Sequence, residues 1–370
     1  MFKTAVIIFC GLLIFAGCTT TPDEPPPAVW SVASPADKPA IVETNRPAPP
    51  VLRTNLPTVL ATNNLPAGTN LAKPAPPPVV TWTALNRWAA ARKIGLPHKL
   101  SDSPLTTYAL GSSNGVMILA IGSHGALWNG TEINLAFEPQ IIDGEIFLHG
   151  LDLQKNLEPL LCATRLEFGT NRVIVLDPGH GGTEPGAKSV LGERYEKQFT
   201  LDWARRLKPL LETNGWQVFL TRSDDVDMAL SNRVSFAEAH HADLFISLHF
   251  NSASPNPKPA GLEAYCLTPS GMPSTLTRGY PDIWTQNYPN NSFDTQNLQL
   301  AMRLQRALSR TTGLEDRGVN HARFIGVLRG QKRPAVLLEG GYLSNHSEAR
   351  HIEDPAFRQR LAEAVAAALR

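Results

Sequence analysis

The order of apolar and polar positions divides this 370-residue chain into four stretches. An apolar run at residues 5–16 precedes residues 18–80, which are dense in Pro, Ala, Thr and Asn and contain few aromatic residues. That composition cannot bury a core, and prolines favour extended segments, so we predict a linker over 18–80. Short apolar runs then alternate with turns in residues 81–168, and longer strand-like and helix-like runs follow from residue 172.

Residues 81–168 are predicted to form a small α+β module. A helical pattern covers residues 82–93, and short strand-like runs follow it. Two hairpins are indicated by Asn129-Gly130 and Asp143-Gly144, because both central residues of a type I′ turn need a positive φ. Surface or packing roles are expected for the isolated histidines of the module, which are His98, His124 and His149.

The alternation of strand-like and helix-like runs in residues 172–370 predicts an α/β layer fold. A helix is expected over 199–215, where large apolar residues recur every fourth position, and Pro209 should end or kink it. The last helix begins at Asp354-Pro355, a capping residue followed by proline at the first helical position. The remaining predicted strands cover 172–176, 216–221, 244–249, 262–267 and 334–338, and the remaining helices cover 232–241 and 296–312.

The first residues have the layout of an export signal, with Lys3 before the apolar run and two small residues before Cys18. The run is too short to span a bilayer. The segment from Phe15 to Cys18 resembles the lipobox of bacterial lipoproteins, which implies a signal peptide at 1–17 and lipidation of Cys18. Leu is usual at the place of Phe15, so cleavage without lipid is the alternative.

The composition narrows the choice of function only a little. A hydrophobic content of 42% suffices for one large core and a small second one. A formal net charge of +1 gives no field that would indicate nucleic acid as a partner. For Cys162 and Cys266, a disulfide and two separate buried thiols are both open. Function has to be read from candidate sites.

Three candidate metal ligands follow strands or begin a helix: His180 in VIVLDPGHGG, Glu196 in GERYEKQFTL and His249 in LFISLHFNSA. Strand ends meet at one edge of an α/β sheet, so ligands far apart in sequence can come together there. Two histidines and one carboxylate hold a catalytic zinc and leave a fourth position for water. Singly, each histidine could be structural, and Glu193 competes with Glu196 as the carboxylate ligand.

Glu339, in PAVLLEGGYLSN, ends an apolar strand-like run. An unpaired buried carboxylate is costly, which favours a functional reason for this residue. Hydrolysis of an amide needs a base for the attacking water and an acid for the departing nitrogen, and one carboxylate can do both in turn. Glu339 is therefore the candidate catalytic residue.

These four segments, in this order, resemble the zinc amidases of the amidase-3 family, the N-acetylmuramoyl-L-alanine amidases, over about residues 172–370. The resemblance implies a catalytic domain with a mixed, mostly parallel sheet flanked by helices. It implies zinc ligation by His180, Glu196 and His249, catalysis by Glu339, and cleavage of the amide bond between N-acetylmuramic acid and L-alanine in peptidoglycan. The preceding module weakly resembles the small wall-associated domains that precede such amidases.

Substrate contacts are predicted for Asn251 and Arg329, in segments that match the family, and for Tyr280 and Trp284, whose flat rings suit sugar or peptide. The two aromatic residues lie in residues 269–297, where several Gly and Pro residues disfavour a long helix. We expect an ordered substrate loop there, with an autoinhibitory lid and a mobile surface excursion as alternatives. The departures from the family's usual residues are Phe250 for a small residue, Asn320 for Lys and Gly340 for Val.

Two other functions fit the same residues: a zinc peptidase acting on the stem peptide, and a wall-binding lipoprotein without activity. The four-residue set argues against the second, because a binding protein has no need of all four. With the export signal, we expect a periplasmic protein anchored by lipid to a membrane, the outer membrane being favoured, with peptidoglycan as its partner. A regulator is a further partner that the sequence does not identify.

Overall fold

The structure, a computed structural model, describes residues 81–168, 171–279 and 282–370. The predicted signal peptide at 1–17, the lipidated Cys18 and the linker up to residue 80 lie outside the described residues. No helix in the described ranges is long and apolar enough to cross a membrane. Cys162 is partly buried and Cys266 is buried, and both are free thiols.

The small module is built mainly of antiparallel strands. The turns at Asn129-Gly130 and Asp143-Gly144 have positive φ at both central residues, at 49° and 82° and at 50° and 79°, which confirms both predicted hairpins. The strands are β1 (Trp82–Ala84), β2 (His98–Ser101), β3 (Thr107–Ser112), β4 (Gly115–Ala120), β5 (Gly125–Trp128), β6 (Thr131–Asn134), β7 (Gln140–Ile142) and β8 (Glu145–His149). The helices are α1 (Leu85–Ala91), α2 (Gly150–Asp152) and α3 (Glu158–Leu161), with a π-helical turn at Leu153–Leu157.

The first helix begins later than the helical pattern predicted. Residues 82–84 pair antiparallel with β8, where Trp82 lies opposite His149, and α1 starts only at Leu85. The prediction of a helix from residue 82 was wrong because a strand more than sixty positions away satisfies these backbone groups.

Residues 172–370 form an α/β layer structure, as predicted. Its strands are β9 (Val173–Pro178), β10 (Gln217–Leu220), β11 (Leu244–Asn251), β12 (Leu262–Cys266), β13 (Asp316–His321) and β14 (Ala335–Tyr342). They lie in the order β10–β9–β11–β14–β12–β13, and only the β12–β14 pair is antiparallel. The sheet is therefore mixed and mostly parallel, which confirms the predicted fold class.

Helices cover both faces of this sheet. They are α4 (Glu196–Thr213), α5 (Leu230–Ala239), α6 (Asp294–Thr312), α7 (Gly326–Arg329), α8 (His346–Glu353) and α9 (Pro355–Ala368), with a 3₁₀ turn at Pro289–Phe293. Alternate residues of β9 point to opposite sides: Ile174 joins the core that contains Trp203 of α4, and Val175 joins the core that contains Ala237 of α5. Burial on both faces explains the continuous apolar runs of the central strands.

Pro209 does not end the long helix, which was one of the two effects predicted for it. Helix α4 continues through Pro209 to Thr213. Its apolar face is fully buried on both sides of the proline, with Trp203 and Leu207 before it and Leu211 after it. Burial of Leu211 contributes about 1.5–3 kcal/mol, which is comparable to the roughly 3 kcal/mol that an interior proline costs.

The small module extends the sheet of residues 172–370. Strand β6 pairs parallel with β13, with Ile133 opposite Val319, so that the sheet has eleven strands within the described ranges. The backbone N–H of Glu132 donates to the carboxylate of Asp316 at 3.2 Å. All described residues fall in one compact unit, and the division into two domains near residue 170 stays a prediction.

Candidate metal centre and active site

The first candidate ligand lies in the turn that follows β9. His180 has a φ of 61°, and its backbone C=O accepts a hydrogen bond from Arg233 Nη2 at 2.8 Å. Arg222 Nη2 donates to the Gly179 C=O at 2.8 Å. A Cβ at Gly179 would overlap the imidazole of His249, so only glycine allows the two ligand-bearing segments to approach this closely.

Buried charge underneath the turn holds it in place. Asp177, which is 1% exposed, accepts hydrogen bonds from Arg233 Nη1 at 2.6 Å, Thr221 Oγ1 at 2.6 Å and Ser247 Oγ at 2.7 Å. A buried ion pair with its remaining lone pairs satisfied fixes geometry more than it adds stability. The strand ends of β9 and β11 are thereby tied to α5.

The second candidate ligand begins helix α4. Glu196 Oε2 lies 3.1 Å from His180 Nε2, and Glu196 Oε1 lies 2.8 Å from His249 Nδ1. The backbone N–H groups of Ala187 and Phe250 also donate to this carboxylate, at 2.9 and 3.0 Å. Burial raises the pKa of Glu196, but the hydrogen bonds from both histidines outweigh it and hold the pKa well below its usual range.

The third candidate ligand, His249, lies near the end of β11. One ligand atom from each of His180, Glu196 and His249 lies within 4.8 Å of the others, so the three side chains could hold a metal ion. Glu193, the competing carboxylate, has an 84% exposed side chain and pairs with Lys188 at 2.8 Å. The geometry therefore favours Glu196 over Glu193 as the carboxylate partner of the two histidines.

Glu339 lies beside this cluster on β14, directly opposite His249 in the β11–β14 register. It is 6% exposed, and its Oε2 is buried with no hydrogen-bond partner among the described residues. Burial and the negative charge of Glu196 raise the pKa of Glu339 well above its usual range, and Arg278 opposes this shift. A raised pKa makes the protonated form of a carboxyl group more available, which suits a residue that takes up and returns a proton.

These side chains line one cleft of about 430 Å³. Of the residues predicted to contact substrate, Asn251 is in its wall. Arg329 is not, because its Nε donates to the Arg323 C=O at 2.7 Å and its guanidinium lies over the Tyr288 ring. Trp284 is 47% exposed and also lies outside the cleft lining. Tyr280 lies outside the described residues, and substrate binding by all four stays a prediction.

The segment between β12 and α6 supplies a cleft residue that the sequence analysis missed. Arg278 lines the cleft together with Tyr265 of β12 and Phe324. Within the described part of this segment there is no α-helix before the 3₁₀ turn, in keeping with the expectation that no long helix forms here. Gly279 after Arg278 signals a turn in the sequence, but the direction of the arginine depends on long-range contacts.

Two of the departures from the family pattern are neighbours in space. The Phe250 ring packs against Trp203 with ring centroids 5.5 Å apart, and a Cβ at Gly340 would lie 2.7 Å from Phe250 Cε1. The missing side chain at 340 therefore provides the space that the larger side chain at 250 occupies. Asn320 accepts hydrogen bonds from Asn134 at 3.2 Å and Thr275 at 3.1 Å, and so links the module to the segment before α6.

The other histidines lie outside the metal-ligand cluster. His321 is 1% exposed, and burial together with the charge of Arg323 lowers its pKa to about 4. His149 stacks on Phe137 with centroids 3.7 Å apart. His98 is exposed and His124 bonds the Leu135 C=O, which agrees with surface and packing roles for the module histidines.

A mixed sheet covered by helices, with a His–Glu–His cluster and a buried glutamic acid in one cleft, is an arrangement suited to metal-dependent hydrolysis. The sequence profile of the amidase-3 family, described as N-acetylmuramoyl-L-alanine amidase, matches residues 174–370, and the chain belongs to this family.

Relatives with this activity in their names match the same half of the chain. The amidase AmiC of Neisseria meningitidis is 34% identical over 237 residues, which cover 58% of this chain and 55% of AmiC. The amidase AmiA of Escherichia coli is 32% identical over 225 residues, which cover 54% of this chain and 75% of AmiA. The matched region thus spans little more than half the length of the first of these relatives. The solved catalytic domain of CwlV, an amidase from Bacillus (Paenibacillus) polymyxa, is 32% identical, with 54% of this chain and 96% of that chain covered and a TM-score of 0.43.

Proposed function

We propose that this chain hydrolyses the amide bond between N-acetylmuramic acid and L-alanine in peptidoglycan, with a zinc ion as cofactor. The observation that carries the proposal is the meeting of His180, Glu196, His249 and Glu339 in one cleft of a member of this amidase family. Because the matched region covers only part of the relatives, the substrate of the whole chain is inferred from this site.

The donor set suits zinc. Two imidazole nitrogens and one carboxylate oxygen are a known catalytic zinc set, and the cleft leaves an open side for water or substrate. His180, Glu196 and His249 would hold the ion. A zinc ion bound there polarises a carbonyl oxygen and lowers the pKa of a water molecule, which makes hydrolysis possible at neutral pH.

Glu339 is proposed to move the protons. Its buried Oε2 has no hydrogen-bond donor among the described residues, so it is available to take a proton from the attacking water. The same carboxyl group then gives that proton to the departing nitrogen of L-alanine. The amide C–N bond breaks as the new C–O bond forms, and the products are a lactyl carboxylate on the glycan and a free amino group on the peptide.

The location of the enzyme is a separate proposal. We propose export through the signal at residues 1–17 and attachment to a membrane by lipid on Cys18. The Pro-rich linker would then hold the catalytic part away from the bilayer, where a polymeric wall substrate lies. This rests on the sequence alone, since these residues lie outside the described ranges.

Digestion of purified peptidoglycan tests the activity. The metal-loaded protein should release intact stem peptides that begin with a free L-alanine amino group and should leave glycan strands with free lactyl carboxylates, both identifiable by mass spectrometry. Glu339→Gln protein in the same buffer is the matched control and should release neither. Shortened stems still attached to muramic acid would instead identify a stem-peptide peptidase.

A further inference from the structure

Arg278 reaches the cleft from a tight turn. It has a φ of 46°, and Gly279 after it has a φ of 75°. Two consecutive residues in the left-handed region form a tight turn, which is uncommon for arginine and persists only when its surroundings fix it. The guanidinium lies over the Phe324 ring, with its central carbon 5.4 Å from the ring centroid, and Nη2 donates to Asn251 Oδ1 at 2.9 Å.

The carboxylate of Glu263, which is buried, holds Asn251, the hydrogen-bond partner of Arg278, in place. Glu263 on β12 accepts hydrogen bonds from Asn251 Nδ2 at 2.8 Å, from Tyr342 Oη at 2.9 Å and from Arg317 Nε at 2.6 Å. An ionised carboxylate only accepts hydrogen bonds, so the amide nitrogen of Asn251 must face Glu263 and its oxygen must face Arg278. Glu263 on the sheet thus orients the amide of Asn251, and that amide in turn positions the guanidinium of Arg278.

Among the described side chains that line the cleft, one arginine is available to a ligand. Arg233 also lines the cleft, but it is 2% exposed, and its N–H groups bond Asp177 and the C=O groups of Pro178 and His180. Arg278 is exposed, and Asn251 is its one hydrogen-bond partner among the described residues. The acidic residues of the lining are Asp177, Glu184, Glu196 and Glu339. Away from the zinc proposed at His180, Glu196 and His249, an anionic group in this cleft would be repelled by these carboxylates unless it met Arg278.

We propose that Arg278 binds a carboxylate of the stem peptide next to the scissile bond, and this rests on the proposed function. A guanidinium fork matches a carboxylate in shape and charge. On the glycan side of the bond the lactyl carboxyl group is already consumed in the amide, so a carboxylate near that bond belongs to the peptide. The stem residue after L-alanine is a γ-linked D-glutamate, whose α-carboxyl group is free or amidated. Arg278 is thus a specificity-determining residue for the free acid.

A pair of substrates that differ in this one group tests the proposal. The zinc-loaded full chain is given N-acetylmuramoyl-L-alanyl-γ-D-glutamyl-L-lysine or the corresponding D-isoglutaminyl-L-lysine compound, in both of which the γ-carboxyl group is bound in the next peptide bond. Because a hydrogen bond between two charged groups is lost in the amide, kcat/KM should be about 10- to 100-fold higher for the acid. Arg278→Gln should lower kcat/KM for the acid to the level of the amide and leave the amide rate little changed. Arg278→Lys should keep part of the preference.

Lys258→Gln is the matched control, since it removes the same charge from an exposed residue outside the cleft lining. It should leave the preference intact. Equal loss on both substrates in Arg278→Gln would reduce the role of Arg278 to holding Asn251, and that result would overturn the proposal. A wild-type enzyme without preference would also overturn it.

Binding of the two product peptides tests carboxylate recognition by Arg278 without depending on catalysis. Titration calorimetry of L-alanyl-γ-D-glutamyl-L-lysine and L-alanyl-D-isoglutaminyl-L-lysine should show at least about tenfold tighter binding of the acid by wild type and equal binding by Arg278→Gln. If wild type cuts neither muramoyl compound, the proposed function fails, while this titration still decides on Arg278. Equal binding of both peptides by wild type would overturn the proposal in that case too.

Discussion

The packing of Phe250 against Gly340 predicts strong coupling between the two positions. In Gly340→Val, the new Cβ would lie 2.7 Å from Phe250 Cε1, 3.0 Å from Trp203 Cζ3 and 3.1 Å from Leu361 Cδ1. Atoms this close must move apart, and overpacking a core of this kind costs about 1–3 kcal/mol. Gly340 is not in the left-handed region, so a strand-forming valine suits its backbone and the cost comes from packing.

The substitution Phe250→Ala, at the other position of the pair, leaves a cavity. Phe250 is 1% exposed, and truncation of a fully buried phenylalanine to alanine costs about 3–5 kcal/mol. In the double variant Phe250→Ala/Gly340→Val, the overlap disappears and the valine fills part of the vacated space. We therefore expect the double variant to be more stable than the sum of the single effects by about 2–3 kcal/mol.

Urea unfolding followed by far-UV circular dichroism measures all four proteins in the cycle. EDTA is present throughout, because Phe250 adjoins His249 and Gly340 adjoins Glu339, and metal affinity must not enter the free energies of unfolding. A coupling of less than about 0.5 kcal/mol, the level expected for independent sites, would refute the reasoning.

Three further predictions concern the metal cluster and the anchor. Glu196→Ala should strip the bound zinc and Glu193→Ala should retain it, as measured by atomic absorption, and the opposite pattern would reassign the ligand. Gly179→Ala should weaken zinc binding by about 10- to 100-fold in a competition titration, because the new Cβ displaces the His249 ring, and unchanged affinity would show that the close approach is unnecessary. Cys18→Ser should move the protein from the membrane fraction to the soluble fraction, and unchanged partitioning would contradict lipid anchoring.

Several helix ends could be predicted from short sequence patterns alone. Asp354 accepts a hydrogen bond from the Ala356 N–H at 2.9 Å and Pro355 begins α9, as the capping pattern predicted. The end of α6 at Gly313, with a φ of 72°, follows in the same way from the freedom of glycine. Such features depend on neighbouring residues only, so the sequence is sufficient to place them.

Long-range contacts decide what the sequence analysis missed. Residues 82–84 form a strand because β8 pairs with them, and Pro209 stays inside α4 because the helix is packed on its core face. Parallel strand ends explain why His180 and His249 could be predicted to meet. The cleft position of Arg278 depends instead on Asn251, and no local pattern reports that contact.

Glu339→Gln separates proton transfer from metal binding most directly. The amide keeps the size of the side chain but cannot take and return a proton, while His180, Glu196 and His249 are unchanged. The measurement is zinc content and release of stem peptides from peptidoglycan on the same purified sample. We expect about one zinc per chain and no detectable release. Release near the wild-type rate, or loss of the zinc together with activity, would contradict the role assigned to Glu339.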